Sequence, residues 1–138
     1  RAPLPERAPD VAAPTSLTWG VLSGSIDVRG AELPWPAGQV RDLEVALQNA
    51  GPATWLAAAS DPGGVILSVG WRSDPLASLI EPRWYPVSHA VGAGETVEIQ
   101  VRLRRPARAA RELVIEPHVR SMHSFDSGPT WTLEVEGS

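Results

Sequence analysis

The sequence predicts an all-β protein built as an antiparallel β-sandwich with seven to nine strands. Apolar and polar residues alternate with a period of two in several short segments, and turn-forming residues separate those segments. No segment carries apolar residues at the three- and four-residue spacing of a long amphipathic helix. The chain has 138 residues, a length that suits one domain around one hydrophobic core.

Residues 1–15 are predicted to be a linker or extended arm that precedes a single β-sandwich domain at residues 16–138. Four prolines fall within the first fifteen residues, and no apolar periodicity is visible there. No run of apolar residues approaches the roughly 20 that a transmembrane helix needs, so we expect no membrane span.

The clearest strand is predicted at residues 95–104, where Val97, Ile99, Val101 and Leu103 alternate with polar residues. The other apolar rows, in chain order, are Leu17 to Val21, Ile26 and Val28, Leu43 to Leu47, Val65 to Trp71, Leu113 to Val119, and Trp131 to Val135. Glycine, proline, asparagine and serine clusters between the rows mark the turns. Residues 73–89 show no alternation and are predicted to be irregular.

The turns themselves suggest how the sandwich closes at one end. Asn49 and Gly51 suit a turn that contains a residue with positive φ after a strand. Trp55 is then expected to return toward the core and fill the end of the sandwich. Gly94 and Glu95 suit a tight turn that leads into the next strand.

Three segments carry a resemblance: Asn49-Ala-Gly-Pro-Ala-Thr-Trp55 after a strand, Val65 to Trp71 followed by Arg72, and Val91 to Ile99 with its Gly-Glu-Thr sequence. Together they resemble bacterial immunoglobulin-like β-sandwich accessory domains. They are also similar to the C-terminal sandwich of O-antigen polysaccharide exporter ATPases and to domains attached to glycosyltransferases and glycoside hydrolases. The resemblance spans roughly residues 40–136 and implies an immunoglobulin-like or jelly-roll-like sandwich. The chain departs from relatives with Gly-x-Tyr in the penultimate strand, since residues 109–113 are Ala-Ala-Arg-Glu-Leu.

The charge and cysteine content exclude several classes of function. The net charge is −4, whereas a nucleic-acid-binding domain normally carries a basic excess, so we expect no nucleic-acid partner. Without cysteine, no disulfide, thiolate nucleophile or cysteine zinc site can form. One local cluster of arginines could bind a phosphate, an acidic sugar or an acidic partner, but we favour its interpretation as a solvated turn. The cluster consists of Arg102, Arg104, Arg105, Arg108 and Arg111.

Independent catalysis has little support in the sequence, so we expect no enzyme and no cofactor. No Gly-x-Ser-x-Gly nucleophile motif occurs, and most carboxylates fall at the alternate positions of the predicted strands that face solvent. His118, His123 and Asp126 lie close in sequence and carry metal-ligating groups. Their spacing matches no strong metal motif, so ordinary loop polarity is the favoured interpretation and no metal site is predicted.

The aromatic residues supply the candidate binding site. Six of the eight aromatics are tryptophan, which serves both as a core residue and as a stacking surface for sugars. Trp84 and Tyr85 are adjacent, so on an extended chain they point to opposite sides and only one can enter the core. The other could bind a glycan together with His118, Arg120 and His123. The alternative, that Trp84 anchors its loop to the sandwich, is the more frequent role.

The remaining tryptophans are assigned mostly to the core. Trp19, Trp55, Trp71 and Trp131 lie on apolar rows and are expected to be buried. Trp35 lies between Pro34 and Pro36 and fits either the core or the ligand site.

The sequence thus favours a non-catalytic accessory module that binds or positions a polysaccharide or oligosaccharide for a parent protein. The alternative is a structural domain that acts as a spacer or pairs with a neighbouring domain or a second copy. An exporter-like domain would be cytoplasmic and one attached to a secreted enzyme extracellular, and no residue chooses between these locations.

Overall fold

Seven strands make up the described fold. The computed structural model describes residues 15–16, 23–59, 63–74, 76–107, 110–119 and 129–135. Within these ranges the strands are β1 (Gly24–Arg29), β2 (Val40–Asn49), β3 (Val65–Arg72), β4 (Ile80–Pro86), β5 (Thr96–Arg104), β6 (Glu112–Val119) and β7 (Trp131–Glu134). The described residues contain no helix that is long and apolar enough to span a bilayer.

The strands form two antiparallel sheets. One sheet has three strands in the order β1-β2-β5, and the other has four strands in the order β4-β3-β6-β7. Every hydrogen-bonded pair among these strands is antiparallel. The chain passes from one sheet to the other after β2, after β4 and after β5. The predicted all-β antiparallel sandwich is therefore confirmed.

The hydrophobic core lies between the two sheets. In β5, each buried residue is followed by an exposed one from Thr96 to Arg104, which is the period expected of a strand with one face on the core. Leu43, Val45 and Leu47 of β2 face the core in the same way. Each such side chain stabilises the fold by about 1.5–3 kcal/mol through removal of its apolar surface from water.

Tryptophan fills much of the core, as the apolar rows predict. Trp55 and Trp71 are buried, and Trp131 is half-buried against the core cluster. Trp19 lies outside the described residues. The ring of Trp71 meets that of Trp35 edge to face, with centroids 5.1 Å apart and planes at 82°. This arrangement matches the quadrupole preference of aromatic pairs and adds to the area that the two rings bury.

Trp35 is a core residue, which corrects its place among the candidate ligand-binding residues. Its side chain is 0% exposed, and its indole Nε1 donates to the carbonyl of Gln39 at 2.9 Å. Arg41 places its guanidinium 5.0 Å from the centroid of the Trp35 ring and donates to the carbonyl of Pro34 at 2.6 Å. The burial of Trp35 could not be predicted because its flanking prolines indicate a loop, and loops are usually exposed. In the structure this loop folds onto the sandwich.

Arg105 also has a structural role that the sequence did not indicate. The residue is only 4% exposed, and its Nη1 donates to the carbonyl of Trp35 at 2.6 Å while Nη2 donates to that of Ala110 at 3.2 Å. Arg102, Arg104 and Arg111 are exposed, and Arg108 lies outside the described residues.

Strand β4 corrects the expectation of an irregular stretch at residues 73–89. Among the described strands it forms one edge of the four-stranded sheet and pairs with β3 alone, with a register shift between Val69 and Trp71. Pro82 and Pro86 lie within it, and proline is compatible with a strand only where its missing N–H faces away from a partner strand. Edge position and irregular register explain why no alternation is visible in this sequence.

The Asn49 turn differs from the expectation in its mechanism. Neither Asn49 nor Gly51 has positive φ, whereas Gly94 does, at 84°. Asn49 is instead a buried side chain whose Nδ2 donates to the carbonyls of Ala53 at 2.8 Å and Val91 at 2.9 Å. Its Oδ1 accepts from the Gly51 N–H at 3.1 Å. Asn49 therefore ties two loops to the end of the sandwich beside Trp55.

The start of the predicted domain at residue 16 lies close to the first described contacts. Thr15 forms a parallel bridge with Thr54, and Ser16 is buried. The hydroxyl of Ser16 donates to the carbonyl of Gly63 at 2.6 Å and accepts from the N–H of Leu56 at 2.9 Å. Residues 1–14 of the predicted linker and the apolar row at residues 17–21 lie outside the described residues.

Candidate functional site

The candidate site lies on the outer face of the four-stranded sheet. The register places Trp84 of β4 beside Ser68 of β3, and Ser68 beside Glu116 of β6. The adjacent residues on these strands, Leu67 and Ile115 among them, belong to the core, so Trp84, Ser68 and Glu116 face outward. We refer to Ser68, Trp84, Glu116, His118 and Thr130 as the Trp84 platform.

The indole of Trp84 leans across the middle strand of this face. Strands β4 and β6 lie on opposite sides of β3, about 9.6 Å apart at the usual strand spacing. The ring centroids of Trp84 and His118 are nevertheless only 5.8 Å apart, with an interplanar angle of 63°. The two rings meet above β3, where Ser68 retains only 2% exposure. One side of the indole is thus supported by the protein, while Trp84 as a whole is 55% exposed.

Tyr85 faces the opposite side of β4, as the alternation rule predicts. Its ring packs against the core cluster, and its hydroxyl donates to the carbonyl of Arg102 at 3.4 Å. Because β5 is an edge strand of the other sheet, this contact joins the two sheets at one corner of the sandwich. Of the adjacent pair, Trp84 is therefore the residue that faces solvent.

Glu116 connects the polar residues of the Trp84 platform. Its Oε2 accepts a hydrogen bond from the Thr130 hydroxyl at 2.9 Å, and its Oε1 lies 3.5 Å from Nε2 of His118. A carboxylate has about four acceptor positions, so two contacts leave further positions for hydroxyl donors of a ligand. The imidazole of His118 is held between this carboxylate and the Trp84 ring.

The surroundings of Glu116 favour its ionised form. The hydrogen bond with His118 lowers the pKa of the carboxyl most strongly, and the hydrogen bond from Thr130 and the positive charges of His118 and Arg72 lower it further. Burial acts in the opposite direction but is outweighed, so the pKa of Glu116 lies below its ordinary value. The Glu116 carboxyl is therefore ionised at neutral and mildly acidic pH.

Stability should fall in acid partly because of this carboxylate. Since the pKa of Glu116 is lower in the folded chain than its ordinary value of 4.5, its stabilising contribution is complete above that ordinary value and is lost as the pH falls through the lower pKa of the folded chain. Urea unfolding at pH 7 and pH 3.5 should show Glu116→Gln less stable than the parent at pH 7, with the gap narrowing at pH 3.5. A gap that stays constant would contradict the assignment, and Glu98→Gln on the other sheet controls for the loss of one charge.

Two side-chain contacts bound the platform on the side of the 73–79 segment. A β-carbon at Gly70 would lie 3.0 Å from Leu79 Cδ1, so Leu79 packs directly on the β3 backbone there. Arg72 Nε donates to Glu112 Oε1 at 2.6 Å in a largely buried ion pair at the end of β3. Together these contacts cover the part of the face next to the Trp84 platform on that side.

The structure brings together two of the residues that the sequence proposed, Trp84 and His118. Arg120 and His123 lie outside the described residues, as does Asp126, so the structure adds nothing to their assignment. Sequence reasoning missed Glu116 and Thr130. Strand alternation in β6 contained the signal for Glu116, because Glu116 lies two positions before His118 and therefore on the same face, but only the pairing with β7 places Thr130 nearby.

The Trp84 platform has the chemistry of a binding surface. It combines an exposed indole with a carboxylate, an imidazole and a hydroxyl, which together can stack on an apolar ring face and exchange hydrogen bonds with hydroxyl groups. The contacts of His118 within the described residues are with Glu116 and Trp84, and none links it to the Ser68 hydroxyl. No group of three or more metal-ligating side chains occurs in the described ranges.

Comparison with known proteins assigns no family to the chain. No family model matches the chain, and no curated protein matches it. The chain is similar to a solved structure of a beta-glucosidase from Listeria innocua in complex with glucose, at 16% sequence identity and a TM-score of 0.38. The match covers 83% of this chain and 16% of that chain, so this chain spans about a sixth of the length of that enzyme. A likeness at this level carries no inference about function.

Proposed function

We propose that the protein is an immunoglobulin-like, non-catalytic accessory domain that binds a glycan through the Trp84 platform. The observation that supports this proposal most directly is that Trp84 is 55% exposed, while the residues around it are polar and the inner side of its ring rests on the sheet. A solvent-exposed indole costs free energy through its contact with water, and a sugar ring that stacks on it would recover that free energy.

The polar part of the Trp84 platform would fix the orientation of the sugar. Glu116 accepts hydrogen bonds from hydroxyl groups, and the Thr130 hydroxyl can both donate and accept. Because Thr130 and His118 already hold the carboxylate in place, the ligand would not need to order it on binding. Such preorganisation favours binding by a surface that offers only one aromatic residue.

The strand arrangement supports the immunoglobulin-like part of the proposal. Immunoglobulin-type domains divide about seven antiparallel strands into sheets of three and four, with connections that cross between the sheets. Here β1-β2-β5 face β4-β3-β6-β7, and three connections cross. Fold alone does not define the ligand, so the functional argument depends on the Trp84 platform.

A non-catalytic role agrees with the residues on this face. Hydrolysis of a glycosidic bond ordinarily needs two carboxyl groups about 5–9.5 Å apart on either side of the scissile bond. Glu116 lies on an open sheet face, and the neighbouring Glu112 is engaged with Arg72. We therefore propose that any chemistry on the glycan belongs to another part of a parent protein.

Affinity electrophoresis through gels that contain polysaccharides tests the proposal. We expect the unsubstituted protein to be retarded by at least one glycan. Trp84→Ala should weaken binding at least about tenfold, since an interfacial tryptophan often contributes more than 1.4 kcal/mol to the binding free energy. Leu76→Ala is a matched control, because Leu76 is 96% exposed and lies in the 73–79 segment. Equal retardation of all three proteins would contradict a role for Trp84.

The alternative function is a spacer or oligomerisation domain, and Leu76 is the observation that favours it. The N–H of Leu76 donates to Asp74 Oδ1 at 2.8 Å, and the N–H of Ala77 donates to the carbonyl of Asp74 at 3.0 Å. This turn presents an apolar side chain to solvent, as a contact residue for another protein surface would be. Self-association in sedimentation that disappears in Leu76→Ser would favour this function over glycan binding.

A further inference from the structure

Among the described residues of β3, β6 and β7, the ionisable side chains on the face of the Trp84 platform are predominantly carboxylates. By strand parity, the ionisable side chains of β3, β6 and β7 that share this face are Arg72, Glu112, Glu116, His118 and Glu134. Three of these five are carboxylates. Arg83 of β4 is exposed, but it pairs with the core residue Val69, so strand alternation directs it to the side opposite to that of Trp84.

The two basic residues that the structure describes on this face of β3 and β6, Arg72 and His118, are already paired with carboxylates. Arg72 donates to Glu112 at 2.6 Å, and both side chains are largely buried. His118 has Glu116 at 3.5 Å, so its charge, when present, is offset within the Trp84 platform. An anionic ligand would therefore find no unpaired cation among the described residues of these three strands, and it would lie close to the Glu116 carboxylate.

We infer that the ligand of the Trp84 platform is an uncharged glycan, and that Glu116 excludes polysaccharides with carboxylate or phosphate groups. This inference rests on the proposed glycan-binding function. Neutral sugars supply hydroxyl donors that the carboxylate can accept. An acidic sugar replaces a donor with a second negative charge, and two like charges about 4 Å apart in water repel by about 1 kcal/mol, or roughly fivefold in affinity.

Matched pairs of polymers test the inference. The probes are dextran, laminarin, hydroxyethyl cellulose and galactomannan, each in its neutral form and after partial carboxymethylation, in affinity electrophoresis at low ionic strength. We expect at least about fivefold weaker binding to the carboxymethylated form of any polymer that is bound. The difference should shrink in 1 M salt, where the screening length falls to about 3 Å.

A charge-neutral variant tests whether Glu116 is the residue that excludes acidic polysaccharides. Glu116→Gln keeps a side chain of similar shape and should reduce the preference for the neutral polymer, while Glu98→Gln, on the exposed face of the other sheet, should keep it. Equal or stronger binding of carboxymethylated polymers, lost in Trp84→Ala, would overturn the inference and leave the proposed function intact. Retardation by none of the eight polymers would count against both.

Discussion

Replacing Trp71 with alanine is expected to lower the free energy of unfolding by about 3–5 kcal/mol, the range observed when large aromatic residues are removed from a core. Trp71 is fully buried on β3, at the centre of the four-stranded sheet, and its ring meets Trp35 edge to face at 5.1 Å. The substitution leaves a cavity and removes this aromatic contact. Since small domains are stable by about 5–15 kcal/mol, a large part of the stability should be lost.

Trp84→Ala is the matched control for this prediction, because it removes the same side chain from the surface of the same sheet. We expect it to cost below about 1 kcal/mol, the worth of an exposed ring contact such as that with His118. Urea denaturation followed by circular dichroism measures both variants. Equal destabilisation of the two would contradict the assignment of Trp71 to the core and Trp84 to the surface.

Replacing Asn49 with alanine should lower the free energy of unfolding by about 3 kcal/mol. The substitution removes three buried or half-buried hydrogen bonds, and it leaves the carbonyl of Ala53 and the N–H of Gly51 without their side-chain partner. An unsatisfied buried polar group costs about 1–3 kcal/mol, which is more than the net gain of an ordinary hydrogen bond.

Asn49→Asp separates this hydrogen-bonding role from simple packing. A carboxylate can accept from Gly51 but would repel the two carbonyl oxygens to which Nδ2 donates, so Asn49→Asp should be at least as destabilising as Asn49→Ala at pH 7. It should recover part of its stability in acid relative to the parent, when the carboxyl can donate. Gln48→Ala, at the exposed neighbouring position, should change little, and a similar loss there would contradict the prediction.

The regular part of the fold was predictable from the sequence because it depends on local alternation. Strands β2 and β5 each bury one face, and the sequence shows this as alternating apolar and polar residues. Strand β4 could not be predicted, because an edge strand with two prolines and a register shift lacks the alternation that marks a central strand. Its position is determined by pairing with β3, which is a long-range interaction.

The candidate site was only partly predictable for the same reason. The opposite orientation of Trp84 and Tyr85 follows from strand geometry alone. The proximity of Trp84 and His118 depends on a sheet order that places β4 and β6 on either side of β3. Burial of Trp35 and Arg105 likewise follows from a loop that folds back onto the sandwich, held by the hydrogen bond from Arg105 to the carbonyl of Trp35.

Tryptophan fluorescence during titration with a retained neutral polysaccharide is the most direct test of the central claim that Trp84 stacks on a glycan. Trp84 is the exposed tryptophan among the described residues, so a ligand that covers it should shift the emission saturably and protect it from acrylamide quenching. We expect both effects in the parent protein and neither in Trp84→Phe. An unchanged emission at saturating polysaccharide, or a shift that persists in Trp84→Phe, would contradict the account.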